Sequence, residues 1–118
     1  MTRVLNQVVI AGRLVRAPEL RYTQQGQAVT TLTLAVGQAL LKLDKEIGTA
    51  YFDVVAFGKL AESIAEHLEK GQEVVVAGRL QVREWETQKG KGKKTEIIAT
   101  LVQFGRKAAS PEGEGVET

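Results

Sequence analysis

The sequence predicts an all-β protein, a small closed barrel carrying a single helix. Three observations support that. Segments rich in Val, Ile and Thr follow one another along most of the chain. Only one stretch has helical spacing. Glycine recurs inside or just past the strand-like segments, where a tightly curved sheet must bend.

The elements follow in order. Leu5 to Val15 is rich in Val and Ile and reads as the first strand. Ala28 to Leu40 alternates, with Leu32, Leu34 and Val36 on one parity and Thr31, Thr33 and Ala35 on the other. Thr49 to Phe57 is aromatic and β-branched, Glu73 to Thr87 is long and Val-rich, and Thr95 to Phe104 closes the set. Turn signals separate these segments: Ala17-Pro18, Gln25-Gly26, Gly48, Gly71 and the pair Gly90 and Gly92.

From Leu60 to Leu68 the apolar residues Leu60, Ala61, Ile64, Ala65 and Leu68 recur at helical spacing. Glu62 and Glu66 share the opposite side, and Gly71 supplies a C-terminal stop. A doubly wound sheet would alternate strand and helix, and this chain does not. Five strands with one helix between the third and fourth is the order of the OB-fold, a Greek-key barrel.

A short motif supports the tight curvature. Val8-Val9-Ile10-Ala11-Gly12-Arg13-Leu14 nearly repeats as Val74-Val75-Val76-Ala77-Gly78-Arg79-Leu80, and Val54 to Leu60 is a looser third copy. The copies are unequally spaced, which excludes a solenoid. Their glycines are read as bends rather than as phosphate-binding positions.

The chain has 118 residues, enough for one domain with its own core, and no Cys to staple it or to bind metal as thiolate. The apolar run Val8 to Ala11 is too short for a leader peptide or a membrane span, so a soluble, cytoplasmic protein with no membrane contact is expected. All 16 Lys and Arg lie in residues 1–107, whereas residues 108–118 contribute only Glu112, Glu114 and Glu117 to the charge. The body is therefore more basic than the net charge of +2 suggests. That suits a polyanionic partner or simply a well-solvated surface. Residues 1–105 are expected to form the barrel and residues 106–118 a disordered acidic tail.

The catalytic inventory is thin. His67, the only histidine, falls on the helix between Glu66 and Lys70, and Ser63 precedes it without a third group to complete a triad. No cluster has metal-ligand spacing. Neither an enzymatic reaction, a cofactor nor a metal is expected. Gly90-Lys91-Gly92-Lys93-Lys94-Thr95 lacks the upstream glycine of a phosphate-cradling loop and lies between strands rather than before a helix. It reads as a flexible basic hairpin tip bearing Lys89, Lys91, Lys93 and Lys94.

Two strands point to a binding face. In the fourth, alternation groups Arg79, Gln81, Arg83 and Trp85, with Leu80 and Val82 expected on the core side. In the third, Tyr51, Asp53, Val55 and Phe57 share one face and Phe52, Val54 and Ala56 the other. Both faces are partly apolar, so alternation leaves the orientation open. With Phe52, Val54 and Ala56 inside, Tyr51 and Phe57 would stand outside with Trp85. Aromatics interleaved with cations suit single-stranded nucleic acid: rings stack on unpaired bases while Lys and Arg neutralise the backbone.

The ordered motifs resemble those of the bacterial single-stranded DNA-binding proteins. Asn6 to Leu14 looks like that family's first-strand motif, and Pro18-Glu19-Leu20-Arg21-Tyr22 with Gly26 and Ala28-Val29 like its connector. Thr33-Leu34-Ala35, Phe57-Gly58-Lys59-Leu60-Ala61-Glu62, Lys70-Gly71, Gly78-Arg79-Leu80 and Arg83-Glu84-Trp85 continue the match in order over residues 4–104. The resemblance implies non-catalytic, largely sequence-independent binding of single-stranded DNA in replication, recombination or repair, and a homo-oligomer, tetramer or dimer. It places Tyr51, Phe57 and Trp85 at base-stacking positions; Lys59, Arg79, Arg83 and the hairpin lysines are the cations expected to contact the strand with them. Two positions depart. Leu40 occupies a further stacking position, and Asp53 a site often basic or neutral in relatives; both are expected to weaken binding. The family's acidic tip ending in an aromatic has no counterpart in Gly115-Val116-Glu117-Thr118, so recruitment of repair proteins through such a tip is not expected. The alternative is a diverged OB-fold accessory module of primosome type that acts mainly through protein contacts.

Overall fold

The structure, a computed structural model, describes residues 5–39 and 46–106. The strands are β1 (Val8–Leu14), β2 (Glu19–Tyr22), β3 (Ala28–Ala39), β4 (Glu46–Phe57), β5 (Glu73–Thr87) and β6 (Gly90–Phe104), with α1 (Gly58–His67) between β4 and β5. The expected all-β OB-fold is therefore present, with one strand more than expected. The short β2 was hidden in the connector, and it places the helix after the fourth strand rather than the third. Leu40 and residues 107–118 lie outside the described residues.

The strands run in the order β1-β5-β6-β4-β3-β2, and pairing of β1 with β3 closes the sheet into a barrel. β1 achieves this by serving two partners: Val8 to Arg13 pair with β5, while Arg13 and Leu14 pair with Ala35 and Leu34 of β3. The change of partner needs a close backbone approach at Gly12, where a Cβ would strike the Ala35 carbonyl. Gly78 in the second copy of the motif is equally constrained, since a Cβ there would run into the Ile98 carbonyl. The architectural reading of both glycines therefore has a specific steric cause. In the third copy Gly58 opens α1 with φ +67°, a conformation rare for L side chains.

The core is built from Leu14, Leu32, Leu34, Val54, Ala56, Val74, Val76, Ile97 and Ala99 on the strands, closed at one end by Ala61, Ile64 and Leu68. Thus Val54 and Ala56 point inward, and β4 takes the orientation that puts Tyr51 and Phe57 outside. Thr30, fully buried on β3, donates its hydroxyl proton to the Ala61 carbonyl at 3.0 Å and ties the helix to the barrel. His67 lies on the exposed side of α1, with Nδ1 3.0 Å from the Ser63 carbonyl and its ring beside Phe104.

A β-bulge divides the β5–β6 ladder. Ala77 pairs with Leu101 and Gly78 with Ala99, which leaves Thr100 unopposed. Its hydroxyl donates to the Ala77 carbonyl at 3.2 Å. Beyond this point β1 no longer pairs with β5, β6 stays on the barrel where Ile97 and Ile98 pair with β4, and past Ile97 the β5–β6 hairpin continues as a two-stranded arm. Asn6 bridges the departure: its side chain donates to the Leu80 carbonyl at 2.9 Å and accepts from the Leu80 N–H at 2.8 Å. Leu80 and Val82, expected in the core, are instead 44% and 52% exposed. They continue the inward parity of Val74 and Val76, but among the described residues no second layer covers them. The segment Gly90 to Lys94, expected as a flexible tip, belongs to β6; the turn itself is Gln88-Lys89. Thr87 holds that turn, accepting from the Lys89 N–H at 3.1 Å and donating to the Gly90 carbonyl at 3.2 Å.

Candidate nucleic-acid interface

The strand registers bring one parity of five strands onto a single outer face. Tyr51, Asp53, Val55 and Phe57 of β4 sit opposite Ala35, Thr33, Thr31 and Val29 of β3. On the other side Val55 is level with Ile98 of β6. Across the arm, Arg79, Gln81, Arg83 and Trp85 of β5 oppose Ile98, Glu96, Lys94 and Gly92. Arg21 of β2 joins the same face through its pairing with Val29.

The face has an apolar floor and an aromatic rim. Val29, Val55 and Ile98 form a small buried cluster separate from the barrel core. On the same face stand Tyr51, Phe57 and Trp85, which are 64%, 39% and 44% exposed, with Trp85 farther out along the arm. Rings of that exposure on a water-facing sheet can accept another ring by stacking. The indole of Trp85 lies against the backbone of Gly92, where a Cβ would overlap ring atoms Cε2, Cζ2 and Nε1. The Arg83 guanidinium is 5.7 Å from the ring centre, within cation–π range.

A chain of polar contacts crosses the face. Arg16, on the β1–β2 connector, donates to the Thr33 hydroxyl at 3.3 Å, and that hydroxyl donates to Asp53 Oδ1 at 3.0 Å. The other Asp53 oxygen meets Lys94 Nζ at 2.6 Å. Lys94 also approaches Glu96 at 3.9 Å, and Arg83 pairs with the same Glu96 oxygen at 3.2 Å. Glu96 is almost fully buried and is held between these two cations. The hydrogen bond from Lys94 is the main reason that the Asp53 carboxyl lies below its ordinary pKa; partial burial opposes the shift, and Thr33 and the charges of Lys94 and Arg16 add to it.

The remaining candidates are distributed differently. Arg79 reaches Gln81 at 3.3 Å and is exposed. Lys59 is exposed in the first turn of α1, two residues past Phe57. Lys89 is in the turn of the arm, and Lys91 and Lys93 are exposed opposite Glu86 and Glu84, on the side away from Trp85. Only Lys94 of the hairpin lysines shares the face of Trp85, and it is already paired with acids. Glu84, Trp85, Glu86, Lys91, Gly92 and Lys93 line an open groove of about 550 Å³ at the outer part of the arm, its two lysines matched by two acids. Sequence reasoning did not single out Arg16, Arg21, Thr33 or Glu96 as part of the face. The alternation of β2 and β3 could have indicated Arg21 and Thr33, whereas Arg16 lies in a connector.

Among the described residues no group of His, Asp and Glu could hold a metal ion, and no helix is long and apolar enough to cross a membrane. Exposed rings, cations and an apolar floor on a barrel face define an OB-fold domain with a surface suited to nucleic acid. The chain belongs to the single-strand binding protein family, whose sequence profile matches residues 5–105. It is 41% identical over 116 residues to a single-stranded DNA-binding protein of Thermotoga maritima, covering 95% of this chain and 82% of that one. It is 43% identical over 102 residues to the single-stranded DNA-binding protein of Bacillus cereus and to single-stranded DNA-binding protein A of Bacillus subtilis. It spans 60% and 59% of the length of those two relatives.

Proposed function

We propose that this chain binds single-stranded DNA without chemical conversion and largely without regard to sequence, serving replication, recombination or repair in the cytoplasm. The observation that carries the reading is the outer face that presents Tyr51, Phe57 and Trp85 together with Arg21, Arg79, Arg83 and Lys94, with an apolar cluster of Val29, Val55 and Ile98 on the same face. Unpaired bases stack on the rings, each worth ~1–3 kcal/mol, and the cations follow the phosphates. Lys59, Lys89, Lys91 and Lys93 extend the cationic path to the helix and the arm.

The chain also assembles with copies of itself in this reading. Below the bulge, Val9, Ala77 and Leu101 lie in one row across β1, β5 and β6, and Ala11 and Val75 in the next. Val9 and Leu101 are 63% and 56% exposed, an apolar strip of the kind that marks a protein contact.

Titration of the full chain with oligo-dT, read by tryptophan emission at several salt concentrations, tests the binding. Quenching is expected, with log K falling linearly in log salt by about 0.7 per phosphate neutralised. Absence of binding would favour an accessory module that works through protein contacts.

A further inference from the structure

The geometry points to Asp53 and Glu96 as built-in competitors for the strand's phosphates, two residues that set the affinity of the face by occupying its central cations. The inference rests on the single-strand-binding reading and concerns how that face is tuned.

Four charges alternate across the middle of the face: Asp53, Lys94, Glu96 and Arg83. They come from three strands, and none of the pairs joins sequence neighbours except Lys94 and Glu96 on β6. Two positive and two negative charges cancel, so the centre of the face is close to neutral despite its cations. Neither acid is free to swing away. Asp53 has one oxygen held by Thr33, itself contacted by Arg16, and the other on Lys94. Glu96 is almost fully buried between Lys94 and Arg83.

A carboxylate in this position resembles a phosphate in its ligands: an ammonium on one oxygen and a guanidinium on the next acid. It is tethered, so its effective concentration at the cation far exceeds that of any strand in solution. A phosphate that reaches Lys94 shares its ammonium with Asp53, whose tethered carboxylate stays beside it and repels it. The sharing lowers the net number of counterions released per strand. Binding thereby depends more on stacking at Tyr51, Phe57 and Trp85 than on charge.

The test compares the parent with Asp53→Asn in the full chain, by oligo-dT titration across a salt series. Asparagine keeps an acceptor for Thr33 and removes the charge together with the oxygen that accepts from Lys94. The variant is expected to bind about twofold to fivefold more tightly, the size of an exposed ion pair converted to a ratio. Its salt slope is expected to steepen by about 0.7, one further phosphate. In Asp53→Asn combined with Lys94→Gln the gain should vanish. Glu96→Gln, measured in parallel with melting temperatures, is expected to act in the same direction and keeps the test decisive if one variant fails to fold. Unchanged or weaker binding by a folded Asp53→Asn, at the parent's slope, would overturn the inference: the acid would then position Lys94 rather than compete for it. If neither parent nor variants bind oligo-dT, the single-strand-binding reading itself fails.

Discussion

At the scale of single residues, Trp85 carries the sharpest expectation. It is half-exposed, backed by Gly92 and flanked by Arg83. Trp85→Ala should therefore lose ~1–3 kcal/mol of affinity for oligo-dT while stability changes by about 1 kcal/mol or less. Large destabilisation, seen in urea unfolding, would show the ring to be structural. Gly92→Val supplies an independent check: its side chain would displace the indole from its seat without removing it. Affinity should fall at least about threefold and the quenching should shrink. Asp53 makes a different prediction, on pH. Its pKa is lowered in the folded state, chiefly by Lys94. The stability it contributes is thus present above the ordinary aspartate pKa and lost as pH falls through the lower folded value. Parent unfolding free energy should decline below about pH 4, and part of that decline should be missing in Asp53→Asn. The parity of Tyr51 and Phe57 was legible in the sequence, but their exposure was not. β4 is apolar on both sides, and only its pairing between β3 and β6 orients Val54 and Ala56 to the core. The Asp53–Lys94 pair was also illegible, because it joins strands separated by the helix and β5.

At the scale of elements, the β5–β6 arm departs furthest from the sequence reading. Alternation correctly grouped Arg79, Arg83 and Trp85, yet it gave no sign that β1 stops pairing with β5 at Gly78 and that Leu80 and Val82 are left exposed. Periodicity reports which residues share a side. It does not report whether a second layer lies opposite. Lysine and glycine between Gly90 and Lys94 suggested a loop, whereas cross-strand pairing with Arg83 to Thr87 makes the segment a strand. The helix was more legible, since Ala61, Ile64 and Leu68 are buried where their spacing placed them. For the arm, replacing Lys89, Lys91 and Lys93 by Gln should weaken binding about equally for oligo-dT, oligo-dA and oligo-dC. It should also flatten the salt dependence. Each site should alter stability by no more than about 0.5 kcal/mol. Unchanged affinity would mean that the strand keeps to the Trp85 side and never crosses the arm.

At the scale of the whole molecule, two outer surfaces of unlike chemistry lie on one continuous sheet. The upper one is aromatic and charged; the lower one, with Val9, Val75 and Leu101, is apolar and carries no ring. The Thr100 bulge separates them by exchanging which parity of β6 faces inward, so that Ile97 and Ala99 enter the core above it and Val102 packs against the core below it. If the proposed self-association holds, Val9→Glu together with Leu101→Glu should leave the melting transition cooperative but give single chains in light scattering. A parent already monomeric at tens of micromolar would remove the self-association reading and leave the binding face untouched.

The seat of Trp85 on Gly92 has one more consequence, for the choice between unpaired and paired DNA. A ring that wedges into a duplex must be open on both sides, because a base pair closes on each. Here polypeptide already covers one side of the indole. The ring can take one base that comes to it, from the open side only. It cannot be driven between two neighbouring pairs. On the single-strand-binding reading, selection against the double helix would then be a matter of shape, set by the absence of a single methyl group across the hairpin.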